Sequence, residues 1–336
     1  MSRLRYRGSP RASRGLSLIE LMVALVLGLL LTMGALSIFL ASRAAFRTTE
    51  DLSRVQEASR VAFELMARDV REAGGNQCSA SILTNNIVAE REGAYWKNWS
   101  TAFKGFGGDA PFTAPAQGFG GGAGARVAGS DGLELHSTED LGVYLTSAMT
   151  SKDSALTVNA LPASVRANDV LMVCDFRLVS LFKATAVSVS SIDHGTSGNC
   201  SSGFTRHVEL ACEDDKIPPE AWHLYGTNSV VARPRAVRWF IGNNDRGGRS
   251  LFRTVLYSDT SPGSAAEVAE GIDQMRIQYL VDGQNAYQAA AAVTDWPKVK
   301  AARVELSLQS ERNSGTEGQA VARTVSATLS LRNRSN

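Results

Sequence analysis

The stretch GLSLIELMVALVLGLLLTMGALSIFLAS, Gly15 to Ser42, decides how the whole chain is read. From Leu21 to Ser42 it holds 22 consecutive residues without a charge. At about 1.5 Å rise per residue, a helix of that length spans the roughly 30 Å hydrocarbon layer of a bilayer. Before it lies a leader with Arg3, Arg5, Arg7, Arg11 and Arg14 and no acidic residue. One acid, Glu20, enters early in the apolar run. A secretory signal has an apolar core of about 7–15 residues and is cut after it, at a small-residue site. Here no A-x-A-like site follows Leu40, and the break in character, at Gly15, precedes the apolar segment.

A carboxylate within a bilayer costs at least ~2.5 kcal/mol, so Glu20 calls for a partner, a functional reason, or snorkelling to the nearby interface. The order of basic leader, Gly, apolar start and Glu resembles the N-terminus of type IV prepilins. That resemblance implies cleavage between Gly15 and Leu16 by a membrane aspartic protease, N-methylation of Leu16, and retention of Glu20 as the fifth mature residue. The freed amine of Leu16 would then be a cation within reach of a Glu20 on the same or a neighbouring helix. In low dielectric such a pair fixes the axial register between subunits. Four further segments resemble the minor pilins of the PilW family: REAGGNQC (Arg71 to Cys78), SLFR (Ser250 to Arg253), VAEGIDQMRIQY (Val268 to Tyr279) and DWPKVKAARVELSL (Asp295 to Leu308). The resemblance covers both ends of the chain well and residues 79–230 poorly.

Charge supports an exported protein. Without the five leader arginines the chain keeps 30 basic against 33 acidic residues, a net of −3. No basic patch remains for nucleic acid. The leader arginines hold the N-terminus in the cytoplasm by the positive-inside rule, and everything after Ser42 is exported from the inner membrane. The four cysteines, Cys78, Cys174, Cys200 and Cys212, lie in that exported part, where disulfides persist. Three pairings are open; Cys200 with Cys212 closes the shortest loop and would leave Cys78 with Cys174.

From Arg43 to Arg71 the pattern becomes amphipathic, with Phe46, Leu52, Val55, Ala58, Ala62, Leu65, Met66 and Val70 at helical spacing. Gly74 and Gly75 predict the end of one continuous helix. Residues 76–128 are rich in Gly, Ala, Pro and aromatics and read as a loop region, its GFGGGAGA run (Gly118 to Ala125) as a mobile loop. Strands are expected at Leu133 to Ser137, Val143 to Leu145, Leu156 to Val158, Val170 to Cys174, Ser180 to Val189 and His207 to Leu210. Val237 to Ile241 and Ser250 to Thr254 form a hairpin, and alternation marks Met275 to Val281, Val304 to Leu308 and Val325 to Leu331.

Little here reads as chemistry. His136, His194, His207 and His223 are scattered, and Asp214 with Asp215 sits in a polar loop. No C-x-x-C, H-E-x-x-H or G-x-S-x-G pattern occurs, and the loose G-x-G-x-x-A of Gly118 to Ala125 lacks a preceding strand. No cofactor, metal or enzymatic activity is expected.

The expected architecture is α+β and pilin-like: leader 1–15, membrane and assembly half of a long N-terminal helix 16–42, amphipathic half 43–75, and a β-rich exported head 76–336 whose antiparallel sheet packs on the helix. What the resemblance implies is a minor type IV pilin that takes part in starting fibre growth. Its partners would be other minor pilins, the major pilin, the prepilin peptidase and methyltransferase, and the inner-membrane assembly platform. The alternatives are a J-type pseudopilin of type II secretion and a membrane-anchored adhesin.

Overall fold

The computed structural model describes residues 17–75, 83–89, 101–113, 115–257, 263–310 and 319–331. The leader, Gly15, Leu16 and Cys78 lie outside the described residues. A single helix, α1 (Leu18–Glu72), runs for 55 residues, about 80 Å at the standard rise. Its end agrees with the glycine expectation. Ala73 caps it, and Gly74 takes φ +73°, a left-handed conformation open to glycine, and donates its N–H to His136 O at 2.9 Å.

The strands follow in chain order: β1 (Leu83–Asn86), β2 (Phe103–Phe106), β3 (Phe112–Thr113), β4 (Ala116–Gln117), β5 (Gly132–Tyr144), β6 (Leu156–Thr157), β7 (Val170–Cys174), β8 (Leu178–Lys183), β9 (Ala186–Val187) and β10 (Ser191–Asp193). The remainder are β11 (Val230–Asn243), β12 (Arg249–Leu256), β13 (Ala265–Glu270), β14 (Ile272–Val281), β15 (Gln288–Ala289), β16 (Val299–Gln309) and β17 (Ala322–Ser330). An eight-stranded sheet has the order β1-β8-β7-β11-β12-β13, with β5 and β2 added beyond β11; a four-stranded antiparallel sheet has the order β15-β14-β16-β17. Pro234 sits mid-way along β11 without disrupting it. It falls in the gap between the β7 register, which stops at Ala232, and the β12 register, which starts at Ala236, where no ladder bond needs its missing N–H.

Only the second half of α1 meets the head. Val55, Ala62, Met66 and Val70 are buried with Trp239, Leu251, Met275, Ile277, Val304 and Leu306, so one core joins the helix to both sheets. Phe46, expected on that stripe, is 71% exposed, because the head begins above it. A second core, around Leu145, Leu156, Phe182, Ile192, Phe204 and Tyr225, fills the far part of the head. There Cys200 and Cys212 form a disulfide with Cα atoms 5.1 Å apart. Cys174 is also disulfide-bonded.

Several strand expectations are corrected. Leu133 to Ser137 and Val143 to Leu145 lie largely in one strand, β5, whose pairing with β11 shifts register between Val231 and Ala232 and which bends at Gly142, φ +66°. Ser180 to Val189 is divided between β8 and β9. His207 to Leu210 is no strand; Val208–Leu210 is a 3-10 turn, consistent with its place inside the short disulfide loop. The loop expected over 76–128 contains β1, β2, β3 and β4, and Phe103, Phe106 and Phe112 are buried.

The helix is tied to the head by a buried ion pair. Asp69, 5% exposed, accepts hydrogen bonds from Trp239 Nε1 at 2.9 Å, Arg253 Nε at 2.7 Å and Arg253 Nη2 at 2.9 Å. Removing Asp69 leaves the buried Trp239 N–H without an acceptor and the partly exposed Arg253 without its carboxylate, at a cost of about 3 kcal/mol. We therefore expect Asp69→Ala to lower the thermal unfolding midpoint of the detergent-solubilised chain by on the order of 10 °C. The more exposed Glu72, paired with Arg235 at 2.7 Å, should lose about 1 kcal/mol or less on substitution by Ala. Near-ultraviolet circular dichroism during heating compares the two.

Candidate functional site, the N-terminal helix

α1 opens on a side-chain cap. Ser17 is the cap residue: its Oγ accepts the N–H of Glu20 at 3.2 Å, and its carbonyl accepts the N–H of Leu21 at 3.1 Å. Glu20 thus lies in the first turn, where the positive end of the helix dipole favours a carboxylate. Every described side chain from Leu18 to Phe46 is exposed, Leu31 at 75% and Ile38 at 72%. The hydroxyls within the run turn inward on their own helix, Thr32 Oγ1 to Leu29 O at 2.9 Å and Ser37 Oγ to Gly34 O at 2.8 Å. Such back-bonding leaves an apolar rod that needs a solvent other than water.

The titratable groups of the head are structural. Burial by itself would raise the Glu134 carboxyl, but His136 at 3.1 Å and Arg238 at 2.7 Å hold it below the usual range. Burial lowers the Arg126 guanidinium to about 10, against the opposing charge of Asp131. Arg126 gathers the carbonyls of Gly107, Ala110 and Ser130 and stacks over Phe112 and Phe119, at 4.5 and 5.0 Å from the ring centroids. His223 pairs with Asp175 at 2.8 Å, and the exposed His207 lies 3.4 Å from Glu209. Asp214 meets Lys152 at 3.3 Å, and Asp214–Lys216 is a short 3-10 turn. Among the described residues no group of His, Cys, Asp and Glu could hold a metal ion. The Gly118 to Ala125 run is no phosphate cradle. The N–H groups of Gly120, Gly124 and Ala125 bond the carbonyls of Arg126, Asn243 and Gly122.

Glu20 is placed as the first-turn acid of an otherwise apolar rod, and among the described residues no head residue meets it. The residues that position the rod, Asp69, Trp239 and Arg253, are not signalled by spacing, since a helical Asp ordinarily reads as a solvent-facing residue.

A family model described as type IV pilus-assembly protein W matches residues 238–333. A second, for the prokaryotic N-terminal methylation motif, matches residues 10–36. Together the two matches support a type IV pilus minor pilin of the PilW family. No curated protein and no solved structure matches it. The PilW match covers the end of β11 through β17, which includes both residues that grip Asp69. The methylation-motif match contains Gly15, Leu16 and Glu20. Between the two matches lie the head-bound half of α1 and nearly all of the second core. PilW is a structural pilus-assembly family, and a single apolar N-terminal helix behind a prepilin motif makes this a membrane-anchored pilin.

One buried histidine gives the head a pH dependence. Burial pushes His194 below its ordinary value, although its Nε2 lies 3.0 Å from Ser154 O. The unfolded chain then binds the proton more readily than the folded one, so stability is full above the unfolded pKa of about 6.5 and falls as pH drops toward the lowered folded value. We expect His194→Gln to flatten that part of the curve, with a smaller loss of unfolding midpoint between neutral and mildly acidic pH than in the parent chain, measured on the full chain in detergent.

Proposed function

We propose that this PilW-family chain is a minor type IV pilin that takes part in initiating the pilus fibre. It does so as a structural subunit. The observation that carries this reading is the bare half of α1, an apolar rod of membrane-spanning length that no described residue of its own head covers, continuous with a half that is firmly docked. Such a rod is stable in lipid and, once other rods surround it, equally stable outside lipid.

In this reading the arginine-rich leader stays in the cytoplasm, a peptidase cuts between Gly15 and Leu16, and Leu16 is methylated. The head faces the periplasm, an oxidising compartment that suits the Cys200–Cys212 disulfide. Glu20 then meets the amine of Leu16 on the same or an adjacent helix, and the low dielectric between rods makes that pair decisive for register. The head's partners are other minor pilins and the major pilin, brought together at the inner-membrane platform. The PilW match over residues 238–333 favours a pilus over a type II secretion pseudopilus.

We expect Gly15→Ala to yield a protein heavier by the 15-residue leader in intact-mass measurement, and normal processing would refute the cleavage site. Glu20→Ala should be cut and inserted yet be scarce in sheared surface fibres. Deleting the chain should remove most surface pili while the major pilin stays in the membrane. Abundant pili that merely fail to adhere would instead identify an adhesin.

A further inference from the structure

The four-stranded sheet is closed on one side and open on the other. On the β14 side, Met275 N–H bonds Ser130 Oγ at 3.0 Å, Ile277 N–H bonds Asp131 Oδ2 at 2.8 Å, and β15 pairs with Gln278 and Tyr279. On the other side, among the described residues, β17 pairs only with β16, over nine residues without a bulge. Two backbone bonds at its ends set the phase. Ser310 N–H reaches Val321 O, and Leu331 N–H reaches Lys300 O, each at 2.9 Å. Strand groups alternate in direction, so Arg323, Val325, Ala327 and Leu329 also face β16. The N–H and C=O groups of Thr324, Ser326 and Thr328 therefore point away from the sheet, and among the described residues nothing bonds them.

Natural sheet edges are guarded by charge, proline, bulges or shortness. β17, ARTVSATLS, has a charge only at Arg323 and no proline. Only an extended polypeptide satisfies such a row of backbone groups. The face beside it asks for alternation, since Val325 and Ala327 are half-buried toward α1 while Ser326 and Thr328 face solvent.

Geometry also narrows the partner. Two copies paired symmetrically through β17 would be related by a two-fold axis normal to the sheet. α1 lies on the face of that sheet, against β16 and β17, so the axis would reverse it. The two apolar rods would then point in opposite directions, which one bilayer cannot accept for subunits inserted the same way. We propose that the free edge of β17 is completed by an extended strand, alternately apolar and polar, from a different pilin-type subunit anchored in the same membrane. This rests on the functional reading above and adds the surface that joins one head to the next.

The test places a photoreactive benzoylphenylalanine at Thr328, and separately at Leu25 in the apolar rod, in the full chain in native membranes. The Thr328 probe should give an adduct whose partner, identified by mass spectrometry, itself carries a prepilin-type N-terminus. Ser326→Pro removes an outward N–H and spares the β16 ladder, so it should cut that adduct about tenfold while Ser326→Ala leaves it intact. The proline variant should retain the parent's unfolding midpoint within a few degrees. No adduct, an adduct to a second copy of this chain, or one indifferent to proline would overturn the proposal. If the Leu25 probe still captures neighbouring pilin helices, the edge proposal fails alone; if neither probe captures a pilin, the functional reading fails with it.

Discussion

Asp69 leaves water near the last turn of α1 and meets Trp239 and Arg253, which lie 170 and 184 positions further along the chain. Everything about the molecule's orientation follows from that contact. Apolar packing of Val55, Ala62 and Met66 is non-directional and would tolerate a helix that rotates or slides by a turn. A buried carboxylate with a bidentate guanidinium and an indole N–H does not, because any shift leaves three polar groups unpaired. The clamp thus fixes the docked half of α1 in rotation and in height against the head.

Two long strands carry that constraint outward. β5 and β11, 13 and 14 residues long, run from the helix-bound core at Leu133 and Trp239 to the second core at Val143 and Val231. At about 3.3 Å per residue each is some 45 Å from end to end. Neither core is isolated on its own sheet. The far lobe, which contains the Cys200–Cys212 disulfide, is carried by β11, which the clamp grips through Trp239, and by its partner β5.

The docked half of the helix and the last third of the chain were legible in the sequence for a common reason, that each has one face in a medium unlike the other. The amphipathic spacing from Arg43 to Arg71 and the alternation of Met275 to Val281 and Val304 to Leu308 record that asymmetry, while the run from Leu21 to Ser42 was legible because it is apolar on every side. β7, VLMVC, is buried throughout and has no period, so it was legible only as a short apolar run bounded by turn residues. The middle was obscure where neither a period nor such a run marks the strand. Gly105 reads as a loop residue, yet it lies in β2 because the ring of Tyr279 occupies the space a side chain would need, its hydroxyl standing where a Cβ would be. Asp69 was invisible for the opposite reason, since periodicity counts a carboxylate as solvent-facing and its partners are remote in sequence. The first-turn position of Glu20 followed from spacing, and the Ser17 cap that accepts its N–H came from the structure.

The two ends of α1 therefore hold charge in opposite ways. Asp69 is neutralised within its own chain, so its stabilisation is present in the isolated subunit. Among the described residues Glu20 has no counter-charge in its own head, and in the proposed function its cost in an apolar setting falls when the amine of a cleaved helix end is near. An acid answered internally makes a rigid subunit; an acid left unanswered gives that subunit a reason to seek neighbours. With the apolar side chains indifferent between lipid and other rods, the function proposed above assigns to the unanswered acid the difference in free energy that selects one axial position among many.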